Sequence, residues 1–150
     1  MRAVKDAISI PLVVNGDITS FEKAVRALDL SGADAVMIGR GAQGQPWLPG
    51  PDRAPARDRQ LPNRRRRSPS SSAISSALYD AVLSHYGLRI GLRHARKHLG
   101  WALEIAAQYS RAPAASLKNW RQTILTSDEP ASVHRSLQNA FDDFAWSAAA

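Results

Sequence analysis

A short stretch rich in arginine and proline divides this chain and limits which residues can share a core. Residues 51–67 hold seven arginines, two aspartates and three prolines, and they supply five of the seven net positive charges of the chain. Such a composition cannot bury enough apolar surface to become ordered. We therefore expect a disordered basic linker over residues 49–76, between an α/β segment (residues 1–48) and a helical segment (residues 77–147).

The four consecutive arginines within this stretch allow two interpretations. Arg64 to Arg67 could neutralise the phosphates of a nucleic acid. A charge run of this kind is more often a solvated, disordered tract, and the sequence favours that interpretation, so we assign the run no specific role.

Composition excludes several classes of protein. The 150 residues are 44 % hydrophobic and 22 % charged, which suits one globular domain or parts of two. They contain no cysteine, which excludes disulfides, thiolate metal sites and a cysteine nucleophile within them. There is no apolar run of the ~20 residues that a membrane span requires, and the residues after Met1 lack a signal-type apolar core. We expect a cytoplasmic protein that does not enter the membrane.

The first segment has the pattern of a strand, a helix and a second strand. The apolar run that ends at Val14 and the run over residues 33–38 are short and rich in β-branched residues, which is typical of strands buried on both faces. Between them, Thr19 and Glu22 form a capping-box signal, and apolar residues then recur at helical spacing. A helix over residues 20–31 and a parallel βαβ unit are predicted.

Glycines follow both predicted strands. Asn15-Gly16-Asp17 comes after the first strand and Gly39-Arg40-Gly41 after the second. Ligands of α/β proteins bind at the carboxyl ends of strands, and glycine lets backbone N–H groups approach a phosphate closely. A phosphate site and a simple pair of turn glycines with a surface arginine are about equally consistent with this spacing.

The second segment predicts two helices with a turn near Gly87, followed by a helix that starts at Ser127-Asp128-Glu129-Pro130. Four basic residues share one helical face by three-and-four spacing: Arg89, Arg93, Arg96 and Lys97. This basic stripe could bind RNA phosphates or form a solvated face, and charge alone favours the solvated face.

Several other side chains in this segment are expected to be structural. His94 and His98 have the spacing of metal ligands, but Ala95 stands where a zinc protease has its glutamate, so no metal site is predicted. Trp101 and Trp120 could stack on bases, although their apolar patterns favour the core. Asp142-Asp143 is expected on the solvated side.

Two blocks of sequence resemble the tRNA-dihydrouridine synthases, most closely the bacterial B type. The first block is Ile10-Pro11-Leu12-Val13-Val14-Asn15-Gly16-Asp17-Ile18 together with Gly32-Ala33-Asp34-Ala35-Val36-Met37-Ile38-Gly39-Arg40-Gly41-Ala42-Gln43-Gly44-Gln45-Pro46-Trp47. The second is His85-Tyr86-Gly87 with Arg93-His94-Ala95-Arg96-Lys97-His98-Leu99-Gly100-Trp101. Their order and spacing are those of the carboxyl-terminal part of the family.

The resemblance implies a fold, a cofactor and a substrate. Family members reduce uridines of tRNA to dihydrouridine with FMN that a nicotinamide cofactor, NADPH, has reduced, on a TIM barrel followed by a helical tRNA-binding domain. Residues 1–48 would then be the last two strands of the barrel and residues 77–147 the all-α domain. By the same resemblance, Asn15, Gly16 and Asp17 hold the flavin and Gly39 and Arg40 its phosphate. The basic stripe would bind tRNA, which reverses the preference from charge alone.

The chain also departs from the family pattern. The family's general acid is a cysteine, which this sequence lacks, and the lysine and arginine that earlier barrel strands provide are absent as well. Family members have ordinary helical sequence where this chain has the Arg/Pro/Ser stretch, which looks like out-of-frame translation or a decayed reading frame. We expect a carboxyl-terminal fragment that is inactive alone, with the missing half of the barrel encoded upstream.

Two other functions compete with this one. A helical RNA-binding module without chemistry is the main alternative, with the βαβ piece as a remnant. A different FMN barrel, such as a relative of dihydroorotate dehydrogenase, is disfavoured because those barrels lack an appended helical domain like the second block.

Overall fold

The structure is a computed structural model that describes residues 1–46, 48, 49 and 70–149, with side chains described through residue 145. The chain forms two compact units that divide at Arg66. The described part is mostly helical, with one small parallel sheet. Most of the predicted linker, including Arg64 to Arg67, lies outside the described residues.

The first unit contains the predicted strand, helix and strand. Its elements are α1 (Arg2–Ala7), β1 (Val13–Asn15), α2 (Phe21–Ser31), β2 (Ala35–Met37) and a 3-10 turn (Arg40–Ala42). Strands β1 and β2 pair in parallel, as the sequence predicts, and α2 packs against both of them.

Helix α2 begins one residue later than the capping-box signal predicts. Ser20 is the N-cap, with extended backbone angles (φ −151°, ψ 166°), and its hydroxyl accepts a hydrogen bond from the Lys23 N–H at 3.3 Å. The Thr19 hydroxyl instead accepts from Lys23 Nζ at 2.9 Å. The predicted Thr19–Glu22 capping box is therefore wrong, because an N-cap must be the last extended residue before the helix.

The two strands are buried on one face only. Val14 and Val36 are partners in the register and are buried and half-buried respectively. On the opposite face Val13 and Met37 are 51 % and 55 % exposed. The apolar runs predict strands that are buried on both faces. That prediction is wrong for the described residues of this unit, because a helix packs against only one face of the sheet.

Helix α1 is held to the unit by polar contacts. Lys5 Nζ lies 2.6 Å from the Asp34 carboxylate, which also accepts the Leu12 N–H at 2.7 Å. The hydrogen bond from Lys5, and next that from Leu12, hold the pKa of Asp34 below its ordinary value of 3.8. Arg2 donates to the Asp29 carbonyl at 2.6 Å. These contacts connect the amino-terminal helix to α2 and to the loop before β2, and Asp34 in turn holds Leu12, the residue before β1.

The loops that follow the two strands are joined through Gln45. This side chain is 5 % exposed, and its amide nitrogen donates to the Thr19 carbonyl at 3.2 Å and to the Gly41 carbonyl at 2.9 Å. The loops also touch directly, since a Cβ added at Gly41 would lie 2.0 Å from the Ile18 carbonyl oxygen. Glycine is required at this close approach.

The second unit is a bundle of three helical elements: α3 (Ser71–Ser110), α4 (Ala114–Thr126) and α5 (Pro130–Ala149). All three pack against one another. Their core includes Leu103, Ile124, Leu137 and Phe144, each 1 % exposed or less. The predicted helix start at Ser127–Pro130 is confirmed, whereas Ser71–Ser76, which the sequence assigns to the linker, are helical.

Helix α3 is broken at Gly87, where the sequence predicts a turn. Gly87 has φ 71° and ψ 169°, in a region that L side chains rarely adopt. The two arms of α3 then meet: a Cβ added at Gly91 would lie 3.0 Å from the Leu83 Cα. The break therefore folds one long helical stretch back against itself.

Asp143 joins α4 to α5. Its carboxylate accepts hydrogen bonds from the Ser116 hydroxyl and, at 2.9 Å, from Trp120 Nε1. These bonds, that of Ser116 first, hold the pKa of Asp143 below its ordinary value of 3.8. Asp142 is exposed, as expected, but Asp143 is half-buried and so departs from the solvated position that the sequence predicts.

None of the helices described is long and apolar enough to cross a membrane.

We predict that replacing Gln45 with Leu destabilises the first unit. Two carbonyl groups are deprived of a donor, which costs about 1–3 kcal/mol when such groups are buried. Gln43→Leu, at an exposed turn position two residues earlier, is the matched control and should change the free energy of unfolding by less than about 0.5 kcal/mol. Urea unfolding followed by circular dichroism measures both. Equal effects of the two substitutions would contradict a structural role for the Gln45 amide.

We predict that Asp143 makes the stability of the second unit dependent on pH. Because its pKa is lowered in the folded state, its contribution is full above the ordinary value of 3.8 and is lost as the pH falls below it. In Asp143→Asn the decline in melting temperature toward acid pH should be shallower than in the wild type. Asp142→Asn is the control and should keep the wild-type slope. Identical pH profiles for all three proteins would contradict the assignment.

Candidate flavin-phosphate and RNA-binding sites

The parallel pairing places the two glycine-containing loops at one edge of the sheet. Asn15 and Met37, the last residues of β1 and β2, are partners in the register. Gly16 and Asp17 therefore follow one strand beside Gly39 and Arg40, which follow the other. All five predicted cofactor residues are exposed, and the Gln45 hydrogen bonds fix the two loops to each other.

The space around these loops is open. A Cβ added at Gly16 or at Gly39 would meet no atom within 4 Å, so nothing in the described structure obstructs an approach to the backbone there. The 3-10 turn begins at Arg40, and its first internal donors are the N–H groups of Ala42 and Gln43. The N–H groups at the start of such a turn have no partner within it.

This arrangement has the chemistry of a phosphate site. Backbone N–H groups beside uncrowded glycines can approach an anion closely, and the exposed Arg40 guanidinium can donate two parallel hydrogen bonds to phosphate oxygens. Asn15 adds a side-chain amide. Asp17 carries a negative charge and suits a hydroxyl group of a ligand better than its phosphate. The residues present therefore fit the phosphate end of a nucleotide cofactor.

The basic stripe is divided by the structure. Arg89, Arg93 and Lys97 are exposed on the second arm of α3. Arg96 is half-buried, and its guanidinium lies 2.6 Å from the Asp128 carboxylate and donates to the Ser127 carbonyl at 3.2 Å. Three of the four residues can thus reach a phosphate directly, while Arg96 ties α3 to the connection between α4 and α5.

A group of rings beside the stripe was not predicted from the sequence. The Tyr86 and His94 ring centroids are 4.9 Å apart at an interplanar angle of 31°, and the Tyr86 and His85 ring centroids are 4.6 Å apart with the two rings nearly perpendicular. The second block of family resemblance begins with His85-Tyr86-Gly87 and so contains these rings. Spacing did not predict their contact, because Tyr86 and His94 would not be neighbours on a straight helix.

The two tryptophans have different surroundings. Trp120 packs against the core of the bundle, as expected. Trp101 is half-buried, with Lys97 Nζ 4.8 Å from its ring and the His98 ring at 5.4 Å. Burial, and then the charge of Lys97, lower the pKa of His98. Within the described residues, no group of three His, Asp or Glu side chains is placed to hold a metal ion.

Comparison with known proteins identifies the family. The family model described as "Dihydrouridine synthase (Dus)" matches residues 1–145. A probable tRNA-dihydrouridine synthase of Rhodobacter capsulatus is 43 % identical over 146 residues, which are 95 % of this chain and 41 % of that relative. A second, from Rhizobium leguminosarum, is 41 % identical over 142 residues, covering 95 % of this chain and 40 % of the relative.

The tRNA-dihydrouridine synthase B of Vibrio parahaemolyticus is 37 % identical over 150 residues, covering 97 % of this chain and 42 % of the relative. The chain thus spans about two fifths of the length of the curated relatives that it matches. The resemblance seen in the two sequence blocks is confirmed, and the chain belongs to the dihydrouridine synthase family.

Proposed function

We propose that this chain serves the flavin-dependent reduction of uridine in tRNA to 5,6-dihydrouridine, to which it contributes part of an FMN site and an RNA-binding surface. The observation that carries the proposal is the meeting of Asn15, Gly16 and Asp17 with Gly39 and Arg40 at one edge of the sheet, in a chain whose relatives are tRNA-dihydrouridine synthases. The reductant of the flavin would be NADPH.

The FMN phosphate would be held by the loop that follows β2. Gly39 offers unobstructed backbone and Arg40 a guanidinium, while Asn15 and Asp17 supply an amide and a carboxylate for the polar groups of the ribityl chain and ring. When bound, the flavin supplies the hydride. What these residues contribute is the fixed position of the cofactor at the carboxyl edge of the strands, where α/β barrels bind ligands.

Chemistry on uridine needs more than this part of the protein. No cysteine is present to act as the general acid, and a flavin held by two loops would be neither oriented nor shielded from water. The exposed face of β1 and β2, with Val13 and Met37 about half exposed, is where further barrel strands would supply the rest of the pocket. Those strands, and the acid, would come from sequence beyond these 150 residues.

The RNA would be bound by the exposed members of the basic stripe. Arg89, Arg93 and Lys97 lie on one helical face with their charged groups in solvent, which suits contacts with phosphates and with the shape of a folded RNA. Arg96 would act through its contacts with Ser127 and Asp128 by keeping this face fixed to the bundle.

A second candidate function is RNA binding without chemistry. It is favoured by the independent core of the second unit, in which Leu103, Ile124, Leu137 and Phe144 are buried by α3, α4 and α5 alone. The two candidate functions assign different roles to the first unit. It would bind the flavin in the first candidate function and would have no role in the second.

We predict that the 150-residue chain alone shows no saturable binding of FMN in the micromolar range, because it holds only the phosphate end of the site. Joined to the amino-terminal part of the Rhodobacter capsulatus relative, it should bind FMN, and Arg40→Ala should then weaken binding about 10- to 100-fold, the effect of one charge-assisted contact. Quenching of flavin fluorescence on titration measures each affinity.

Arg26→Ala, on the exposed side of α2, is the control and should leave FMN affinity unchanged. Saturable micromolar binding by the chain alone would contradict the incomplete pocket. An unchanged affinity in Arg40→Ala would contradict the phosphate role, and failure of the joined protein to bind FMN would favour the RNA-binding module.

We predict that Arg93→Ala/Lys97→Ala weakens tRNA binding and lowers the slope of log affinity against log salt by about two, roughly one unit for each phosphate that is no longer neutralised. The matched control is Arg111→Ala/Lys118→Ala, which removes the same charge from exposed positions elsewhere in the unit. Anisotropy titrations at several salt concentrations measure both slopes. If the first variant leaves affinity and slope unaltered while deletion of Arg64 to Arg67 abolishes binding, the stripe is only a solvated face.

A further inference from the structure

The rings of Tyr86 and His94 form a contact that the fold of the bundle does not require. Tyr86 is 49 % exposed, with the His94 ring at 4.9 Å and the His85 ring nearly perpendicular to it at 4.6 Å. By contrast Tyr79, on the same helix, is 2 % exposed and meets His134 inside the bundle. The contact of Tyr79 serves packing, whereas that of Tyr86 leaves much of an aromatic ring in solvent.

The break at Gly87 creates this contact. Two residues eight apart on a straight helix are separated by about 12 Å along its axis, yet the Tyr86 and His94 rings lie 4.9 Å apart. The positive φ of Gly87 turns the first arm of α3 back so that Leu83 touches Gly91 and Tyr86 comes over His94. The backbone thus holds a conformation that only glycine adopts readily, and one result is an ordered pair of rings at the surface.

This ring pair lies next to the exposed positive charges. Arg89, Arg93 and Lys97 follow on the arm that carries His94. Further along, Lys97 covers the ring of Trp101. His98 makes an edge contact with Trp101, and its lowered pKa, caused by burial and then by Lys97, keeps its imidazole neutral near pH 7. Aromatic groups therefore lie close to exposed cations at both ends of this stretch of α3.

We propose that Tyr86, supported from below by His94, is a stacking platform for an unpaired nucleobase of the bound RNA. The inference rests on the proposed RNA binding by this unit and specifies which part of the RNA is recognised. The flanking cations attract the phosphates, while a half-exposed ring offers a surface on which any base can stack. A regular duplex keeps its bases stacked on one another, so the platform favours RNA that contains single-stranded bases.

The test compares two RNAs with the full 150-residue chain: a single-stranded oligoadenylate of ten nucleotides and a blunt RNA duplex of the same length. Anisotropy titrations at several salt concentrations give the two affinities and their dependence on salt. Tyr86→Leu should lower the affinity for the single strand about ten-fold or more, the effect of removing one stacked base, and should leave the duplex affinity and the salt slope unchanged.

Three further variants make the result specific. Tyr86→Phe keeps the ring and should bind as the wild type does. Tyr109→Leu removes another exposed tyrosine, 70 % exposed near the end of α3, and should have no effect. Gly87→Ala, whose Cβ would meet nothing within 4 Å, tests the break itself: alanine disfavours the φ on which both the ring contact and the core depend, so single-strand affinity and the melting temperature should fall together, whereas Tyr86→Leu should lower only the affinity.

Two outcomes separate the inference from the proposed function. If Tyr86→Leu leaves single-strand affinity unchanged, or weakens both RNAs equally, the platform is wrong while RNA binding by the basic stripe stands. If the wild type binds neither RNA, or if Arg93→Ala/Lys97→Ala leaves the salt slope unaltered, the proposed RNA binding itself fails and the inference fails with it.

Discussion

Parallel pairing of β1 with β2 is the constraint from which the first unit's candidate site follows. Two parallel strands send both of their carboxyl ends to the same edge, so the loops that begin at Gly16 and at Ile38 must be neighbours. The Gln45 side chain then holds the two loops together, because its amide nitrogen donates a hydrogen bond to one backbone carbonyl in each loop. The site residues are therefore positioned by backbone contacts, and their own side chains remain available in solvent.

The second unit depends on a single backbone angle in a similar way. Gly87 reverses the course of α3, which lets Tyr79 and Leu92, on opposite sides of the break, contribute to the same core cluster. The same reversal puts Tyr86 on His94 at the surface. One glycine thus determines both what is buried in the bundle and which aromatic ring is presented beside the exposed cations.

Local patterns predicted the elements better than their boundaries and contacts. The βαβ order, the turn at Gly87 and the helix start at Pro130 follow from apolar periodicity, from the conformational freedom of glycine and from the fixed φ of proline, which act over a few positions. The buried amide of Gln45 and the hydrogen bond of Trp120 to Asp143 depend on residues that are distant in the sequence and are brought together by the fold. Spacing could not distinguish Arg96, which pairs with Asp128 thirty-two residues away, from its exposed neighbours.

The two units differ in how far they can act without other polypeptide. A two-stranded sheet is only marginally stable in water, and Val13 and Met37 remain 51 % and 55 % exposed on this one, so the first unit has apolar surface that further strands would cover. The helical unit buries its largest side chains by itself. The proposed RNA binding, which needs only an ordered charged surface, would therefore be separable from the proposed cofactor binding, which needs a closed pocket. If both proposals hold, the loss of barrel strands would abolish the chemistry and leave RNA binding by the helical unit intact.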